Sequence, residues 1–293
     1  MPSTRDIRRR IKSVKNTAQI TKAMQMVAAA KMRKAQQAAL VGRPYADLMN
    51  SVLAEAAPRI AAFKHPLMEV RPVKKRAVIL VTSDRGLCGG LNSNLLREAA
   101  KLDKNTTVFI TAGKKGAQFI ARTKRQLSSE FTYKDAPTFA EARAISKFAQ
   151  NLFLKGEVDA VDIMYSQFVS TLVQQPKTAS FLPVGKLTAL QTGVGTAEEE
   201  LKAAGPRVDT FEFEPDEEQV LGALLPHCLN FRMHQILLEA KASEQSARMV
   251  AMKNATDNAK QIIKDLTLEY NKLRQANITK ELLEITTAQM AVG

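Results

Sequence analysis

The chain has 293 residues, of which 45% are hydrophobic and 25% charged, with a formal net charge of +14. That leaves room for a real core in one or two domains, at a charged fraction ordinary for a soluble protein. No run approaches the roughly 20 apolar residues of a membrane span, and Cys88 and Cys228 are too few for a disulfide framework or a zinc ligand set.

The first residues, MPSTRDIRRRIK, carry basic charge with no apolar stretch behind them, which argues against a secretory signal. Asp6 and the regular pattern that follows argue against an organellar transit peptide, so a reducing, cytoplasmic setting is expected. The positive charge is concentrated here. Residues 1–43 hold eleven Lys/Arg and one acid, whereas residues 217–293 hold nine of each sign. A basic segment of this kind predicts an acidic partner, in preference to a merely solvated helix face.

The N-terminal segment predicts one long helix of about 40 residues. There is no proline between Pro2 and Pro44, and Ser3 with Asp6 has the spacing of a capping box. Apolar or small residues fall at Ile7, Ile11, Val14, Ala18 and Thr21, and the same frame returns at Ala28, Met32, Ala35 and Ala39. Steps of four and three make a heptad seam.

The pattern then changes. AVILVT (77–82), TTVFIT (106–111), VDAVDIMYSQF (158–168) and KTASFLPV (177–184) read as buried strands. Helical stretches alternate with them at 92–102, 114–127 and 137–156, the last opening with Thr138 and Glu141 in capping-box spacing. This alternation predicts a small Rossmann-like α/β domain with a mainly parallel sheet, over residues 74–210. A loop or short helix is expected at 193–206, and an edge strand over 207–218 that runs acidic into the next helix past Pro215.

From His227 to Val292 there is neither glycine nor proline, and a heptad frame runs through Ala255, Ala259, Ile262, Leu266, Leu273 and Ala276, interrupted by Glu269. Sixty-six helical residues would span about 100 Å, more than any core this chain could cover. The two terminal helices, within 1–57 and 214–293, are therefore expected to pair as a long antiparallel two-helix coiled coil. Alanines in both seams allow close approach of the axes. Such a rod leaves apolar surface on its outer side, so the isolated chain is expected to be poorly soluble or partly disordered.

Chemistry is sparsely supplied. The histidines His65, His227 and His234 belong to no triad or metal motif, and packed or surface roles are expected for them. The segment VILVTSDRGLCGGLN (78–92) has the order strand, glycines, helix that cradles phosphates elsewhere. It lacks the lysine and hydroxyl of a P-loop and the G-x-G-x-x-G spacing of a dinucleotide fold. A tight turn is the better reading, with Gly86, Gly89 and Gly90 serving backbone geometry and Asp84 and Arg85 local or subunit contacts. Cys88 has no general base suggested near it and reads as a small buried thiol. No catalytic residue, cofactor or metal site is expected. A basic helix along duplex phosphates is the alternative function, although no aromatic precedes Tyr45 to stack on bases.

Three segments then carry a resemblance. IRRRIKSVKNTAQITKAMQMVAAAKMRKAQ, VTSDRGLCGGLNSN and EQSARMVAMKNATDNAKQIIKDLTLEYNKLRQANITKELLEI resemble, in order and over essentially the whole chain, the gamma-subunit family of F-type ATP synthases. The resemblance implies a non-catalytic rotary shaft, one copy per complex. Its coiled coil would lie inside a hexamer of alpha and beta subunits. Its α/β domain would sit against the epsilon subunit and the membrane ring of c subunits. It implies a peripheral position on the cytoplasmic face of a bacterial inner membrane, and no nucleic-acid partner.

By position in the family motifs, Met24 would face the acidic lever of the beta subunit, with Lys31, Arg33 and Lys34 adding basic surface. Arg248, Arg274, Gln275, Thr279 and Glu281 would latch the shaft to the hexamer. The ending EITTAQMAVG departs from the more usual Gly-Ala-rich one, and the chain lacks the inserted cysteine pair of redox-regulated relatives, so no thiol switch of that kind is expected.

Overall fold

The computed structural model describes residues 3–42, 44–46, 48–49, 65–184 and 217–292. The chain divides into two compact units, residues 1–27 with 249–293, and residues 28–248. The expected loop at 193–206, the edge strand at 207–216, Pro215, and the far ends of the segments 1–57 and 74–210 lie outside the described residues.

Helix α1 runs over Thr4–Val41. Its start is closed as the sequence predicts: the Asp6 N–H donates to Ser3 Oγ at 3.2 Å, and the Ser3 N–H donates to the Asp6 carboxylate at 3.3 Å. Helix α5 runs over Glu217–Val292 and continues through Pro226. In the first unit the two helices pair antiparallel. The Arg8 guanidinium lies 5.8 Å from the centre of the Tyr270 ring, and the hydroxyls of Thr21 and Thr256 are 2.7 Å apart. Position rises along one helix as it falls along the other.

The seam on α1 is the predicted one, with Ile7, Ala28, Met32, Ala35 and Ala39 buried and Ile11, Val14, Ala18 and Thr21 half-buried. The seam on α5 needs correction. It passes through Met252, Thr256, Ala259, Ile263, Leu266, Tyr270 and Leu273, while Ile262 and Ala276 are exposed. Isoleucines stand at both 262 and 263, and a step of four from Ala259, not three, keeps the 3.5-residue repeat. Glu269 does not interrupt the seam, because Tyr270 occupies it. Beyond Leu273, every side chain described up to Met290 is exposed.

The second unit is built on a five-stranded sheet. Its strands are β1 (Arg76–Val81), β2 (Thr107–Ala112), β3 (Gln126–Phe131), β4 (Ala160–Phe168) and β5 (Gln174–Leu182), in the order β3-β2-β1-β4-β5. All neighbours are parallel except β4 and β5, and Ile79 of β1 stands beside Ile110 and Ile163. Helices α2 (Leu91–Ala100), α3 (Lys114–Arg122) and α4 (Phe139–Leu154) connect the parallel strands. Alternation along β1 feeds two layers. Val78 and Leu80 cluster with Leu95 of α2 and Ile120 of α3. Ala77, Ile79 and Val81 cluster with Ile145 and Phe153 of α4 and with Leu229, Met233 and Leu237 of α5. The N-terminal part of α5 is thus a core layer of the α/β fold.

Two local features set the shape near the sheet edge. Gly113, between β2 and α3, has φ 110°, and a Cβ there would lie 2.1 Å from the Thr82 carbonyl oxygen. Thr138 caps α4 in the predicted reciprocal box with Glu141. Strand β3 is a correction, because the helix expected over 114–127 stops at Arg122, Lys124 takes φ 51°, and residues 126–131 pair with β2. β3 is a mostly exposed edge of polar residues, QLSSEF, so no apolar run marks it.

Candidate functional site

The glycine loop after β1 is tied to itself. Asn92, in the first turn of α2, donates through Nδ2 to Ser83 Oγ at 2.7 Å and to Cys88 Sγ at 3.3 Å, and accepts from the Ser83 N–H at 3.3 Å. Ser83 Oγ donates to the Arg85 carbonyl at 2.7 Å, and the Asp84 carboxylate accepts from the Lys114 N–H at 3.0 Å. Gly89 takes φ 58°, a conformation in which glycine is unstrained. Gly86 has no such need, since a Cβ there would meet open space, and the left-handed non-glycine residue of the loop is Leu87, at φ 64°. Cys88 is buried beside Ser83 and Asn92. Cys228 is also buried, donates to Met49 Sδ at 2.9 Å, and has its pKa pushed up to about 12 by burial.

In an open α/β sheet the ligand crevice lies at the C-terminal ends of the strands, where the connections switch direction. Here the switch falls between β1 and β4, since α2 and α3 cover one face and α4 the other. That crevice is filled by the chain itself. Ala240 and Glu244 of α5 stand over it with Thr82, Ser83, Asn92, Tyr133 and Ser166, and the cavity left has about 10 Å³, room for about one water molecule. A carboxylate on the chain's own helix stands where an open fold would take its ligand.

Glu244 belongs to a network of charges. Its carboxylate pairs with Lys241 at 3.0 Å and with Arg248 at 2.7 Å. Lys241 also reaches Asp135, in the connection after β3, at 3.0 Å, and Asp135 pairs with Lys31 of α1 at 2.6 Å. The Lys31 hydrogen bond holds the Asp135 carboxyl down at about 2. Arg248 donates onward to the carbonyls of Gly86, at 3.3 Å, and Arg85, at 3.5 Å. Lys241 lies 5.5 Å from the centre of the Tyr133 ring. Tyr133 donates its hydroxyl to the Thr82 carbonyl at 3.1 Å, and burial holds that hydroxyl protonated.

Of the residues singled out from sequence, Lys31 and Arg248 meet in this network. Arg33 and Lys34 are exposed on α1 and Met24 is half-buried. Arg274, Gln275, Thr279 and Glu281 are all exposed on α5, with Thr279 Oγ1 donating to the Gln275 carbonyl at 3.0 Å. Asp135, Lys241 and Glu244 were not anticipated. The usable signal was the spacing of 241, 244 and 248, three and four residues apart on one helix face.

The histidines are engaged in packing. His227 Nε2 lies 2.6 Å from the Tyr45 hydroxyl, and His234 Nε2 lies 3.2 Å from the Pro137 carbonyl oxygen. Among the described residues, no group of three or more His, Cys, Asp or Glu side chains could hold a metal ion, and no helix is long and apolar enough to cross a membrane. The terminal helices of the first unit carry exposed apolar side chains. Ile20, Met26 and Val27 of α1 and Leu268, Ile278, Leu282, Leu283, Ile285 and Met290 of α5 are all exposed.

Comparison with known proteins places these features in a family. The family model described as ATP synthase matches residues 3–292. An ATP synthase gamma chain from Opitutus terrae is 50% identical, and one from Methylacidiphilum infernorum 46%, each match covering 100% of both chains. One from Roseiflexus castenholzii is 47% identical over 100% of this chain and 99% of its own. Among solved structures, a chain of the Euglena gracilis mitochondrial ATP synthase superposes with a TM-score of 0.67 at 20% identity, covering 99% of this chain and 94% of that one, and shares the fold. A chain from the central stalk and c-ring structure of the Tetrahymena thermophila enzyme gives 0.60 at 25% identity, over 80% of this chain and 99% of that one. With two helices at its ends, a parallel-dominated sheet between them and full-length matches to named gamma chains, the chain belongs to the ATP synthase gamma chain family.

Proposed function

We propose that this chain is the central rotary shaft of an F-type ATP synthase, a subunit that does no bond chemistry of its own. Ion-driven rotation of a ring of c subunits turns it. Its rotation then takes the beta catalytic sites of an alpha–beta hexamer through their binding states, for synthesis or hydrolysis of ATP. The α/β layer would meet the epsilon subunit and the c ring, on the cytoplasmic face of a bacterial membrane.

The observation that carries this reading is the apolar surface of the two terminal helices. Exposed apolar side chains, such as Ile20 and Met26 on the pair and Leu282 and Ile285 on the stretch of α5 past the start of α1, form the kind of surface that marks a protein–protein contact. They belong to a chain whose full length matches ATP synthase gamma chains. Two unlike helices in antiparallel register present different side chains in every direction around their axis. A ligand shifts a conformational equilibrium only by its differential contact with the two states. A turning, asymmetric rod supplies that difference to each beta subunit in turn.

Within this reading Met24 faces the acidic lever of beta, and Arg33 and Lys34 offer it exposed positive charge. Arg274, Gln275, Thr279 and Glu281 form the latch to the hexamer. Lys31 and Arg248 share their charge between such contacts and the internal network. The alternative reading as a nucleic-acid-binding helix gains nothing from the comparisons.

The test is reconstitution. Purified alpha and beta subunits are assembled with and without this chain, and ATP hydrolysis is followed. The chain should stimulate steady hydrolysis and remain bound one per hexamer. An unchanged rate with no co-elution would overturn the proposal.

A further inference from the structure

Lys241, Glu244 and Arg248 lie on one face of α5, and the side chains of Lys241 and Glu244 are each only 5% exposed. Around them run Lys31 from α1, Asp135 from the connection after β3, and the carbonyls of Arg85 and Gly86 from the glycine loop. The acids are the junctions. Asp135 holds Lys31 with one oxygen and Lys241 with the other, and Glu244 divides its two oxygens between Lys241 and Arg248. The network therefore joins α1, α5 and two loops at the C-terminal edge of the sheet. Three cations face two carboxylates, and the surplus positive charge is met by the loop carbonyls.

Burying Lys241 and Glu244 as charges is a poor way to gain stability, because desolvation offsets most of the attraction, and the half-exposed pair of Lys31 with Asp135 adds little. What the set provides is direction. The hydrophobic driving force is non-directional, whereas charge-assisted hydrogen bonds hold donor and acceptor in one geometry. Position along the helices points the same way. Ala28 and Arg248 are where α1 and α5 pass out of the unit that contains the sheet, so Lys31 and Arg248 lie at or within three residues of those exits.

We propose that this network is a torsional clamp, in which Asp135 and Glu244 act as positioning residues that lock both terminal helices to the α/β layer. The proposal rests on the rotary-shaft reading. Torque applied to the layer then reaches the helices without slip. The crevice that a ligand-binding relative of this fold would keep open is closed by α5 for this purpose.

The experiment uses the hexamer assembled with the full chain, immobilised through beta, with a bead attached to the α/β layer. The angular variance of the bead during pauses reports the torsional stiffness between the layer and the hexamer. Asp135→Asn and Glu244→Gln should each raise that variance about twofold, since each removes one of two acidic junctions. Asp135→Glu should restore most of the stiffness. Should Glu244→Gln fail to assemble, Asp135→Asn decides, because the Asp135 side chain is 58% exposed and tolerates the change. Wild-type variance in Asp135→Asn would overturn the clamp while leaving the shaft intact. A wild-type assembly that never rotates would instead overturn the shaft reading, and the clamp with it.

Discussion

Burial sets the chemistry of Glu239. It lies on α5, 4% exposed, and its carboxylate accepts from the Phe168 N–H at 3.2 Å. Burial pushes its pKa up to about 7, against the opposing pull of the Phe168 N–H, Lys177 and Tyr165. Between the ordinary glutamate value of about 4.3 and 7, the folded chain thus binds more protons here than the unfolded chain. Stability contributed by this site is present at low pH and is lost as pH rises through that window. Glu239→Gln keeps a carbonyl for Phe168 and removes the titration. The variant should match the wild type near pH 4, below the window, and exceed it by up to about 3 kcal/mol at pH 8, the free-energy equivalent of the displaced pKa. Urea unfolding at the two pH values measures this, and parallel wild-type and variant profiles would refute it. His65 also departs from its ordinary value, lowered by burial, and is less able to gain a proton in the same range.

At the level of elements, the adjacent isoleucines of α5 give a direct test of the seam. Ile263 is half-buried on the seam and Ile262 is 47% exposed beside it. Ile263→Ser should destabilise the helix pair by about 1–2 kcal/mol through lost apolar burial, while Ile262→Ser in the isolated chain should stay within about 0.5 kcal/mol of the wild type. Thermal loss of helical signal distinguishes them, and equal effects would mean that the seam is misplaced. The same pair shows where sequence reasoning reached its limit. Both helices, the α1 frame, four of the five strands and both caps were legible, because each rests on a periodicity or a local hydrogen bond. The α5 frame was ambiguous because two isoleucines offered two phases, and only the partner helix, through Thr21 and Arg8, selects one. Strand β3 was illegible because an exposed edge strand needs no apolar alternation. The clamp was half legible. Lys31 and Arg248 stood in recognisable motifs, but the carboxylates that join them lie 104 residues from Lys31 in one case and within α5 in the other. The spacing of Glu244 to Lys241 and Arg248 was a local signal, whereas the pairing of Asp135 with Lys31 and Lys241 is made only by tertiary structure.

For the whole molecule, the exposed apolar side chains of α5 past the start of α1 create a conflict between solubility and assembly. Ile278, Leu282, Leu283 and Ile285 are each about half exposed or more, and they lie past the point where α5 has any described buried residue. They add little to the stability of the chain by itself, since an exposed apolar side chain gains nothing from folding. They do make the free chain prone to self-association. If a hexamer bearing covers them, their burial is recovered only on assembly, at roughly 25 cal/mol per Å² of apolar surface removed from water. Replacing Ile278, Leu282 and Ile285 together by Ser should therefore act in opposite directions on two measurements. The isolated variant should stay monomeric to higher concentration than the wild type, with its melting temperature changed by no more than a few degrees. Its affinity for the alpha–beta hexamer should fall by at least tenfold, which needs only about 1.4 kcal/mol of the lost burial. Sedimentation of the free chain and titration into the hexamer read the two effects separately. A variant that melts much earlier would show that these side chains support the fold of the free chain. One that is more soluble yet binds with unchanged affinity would show that the bearing does not cover this face.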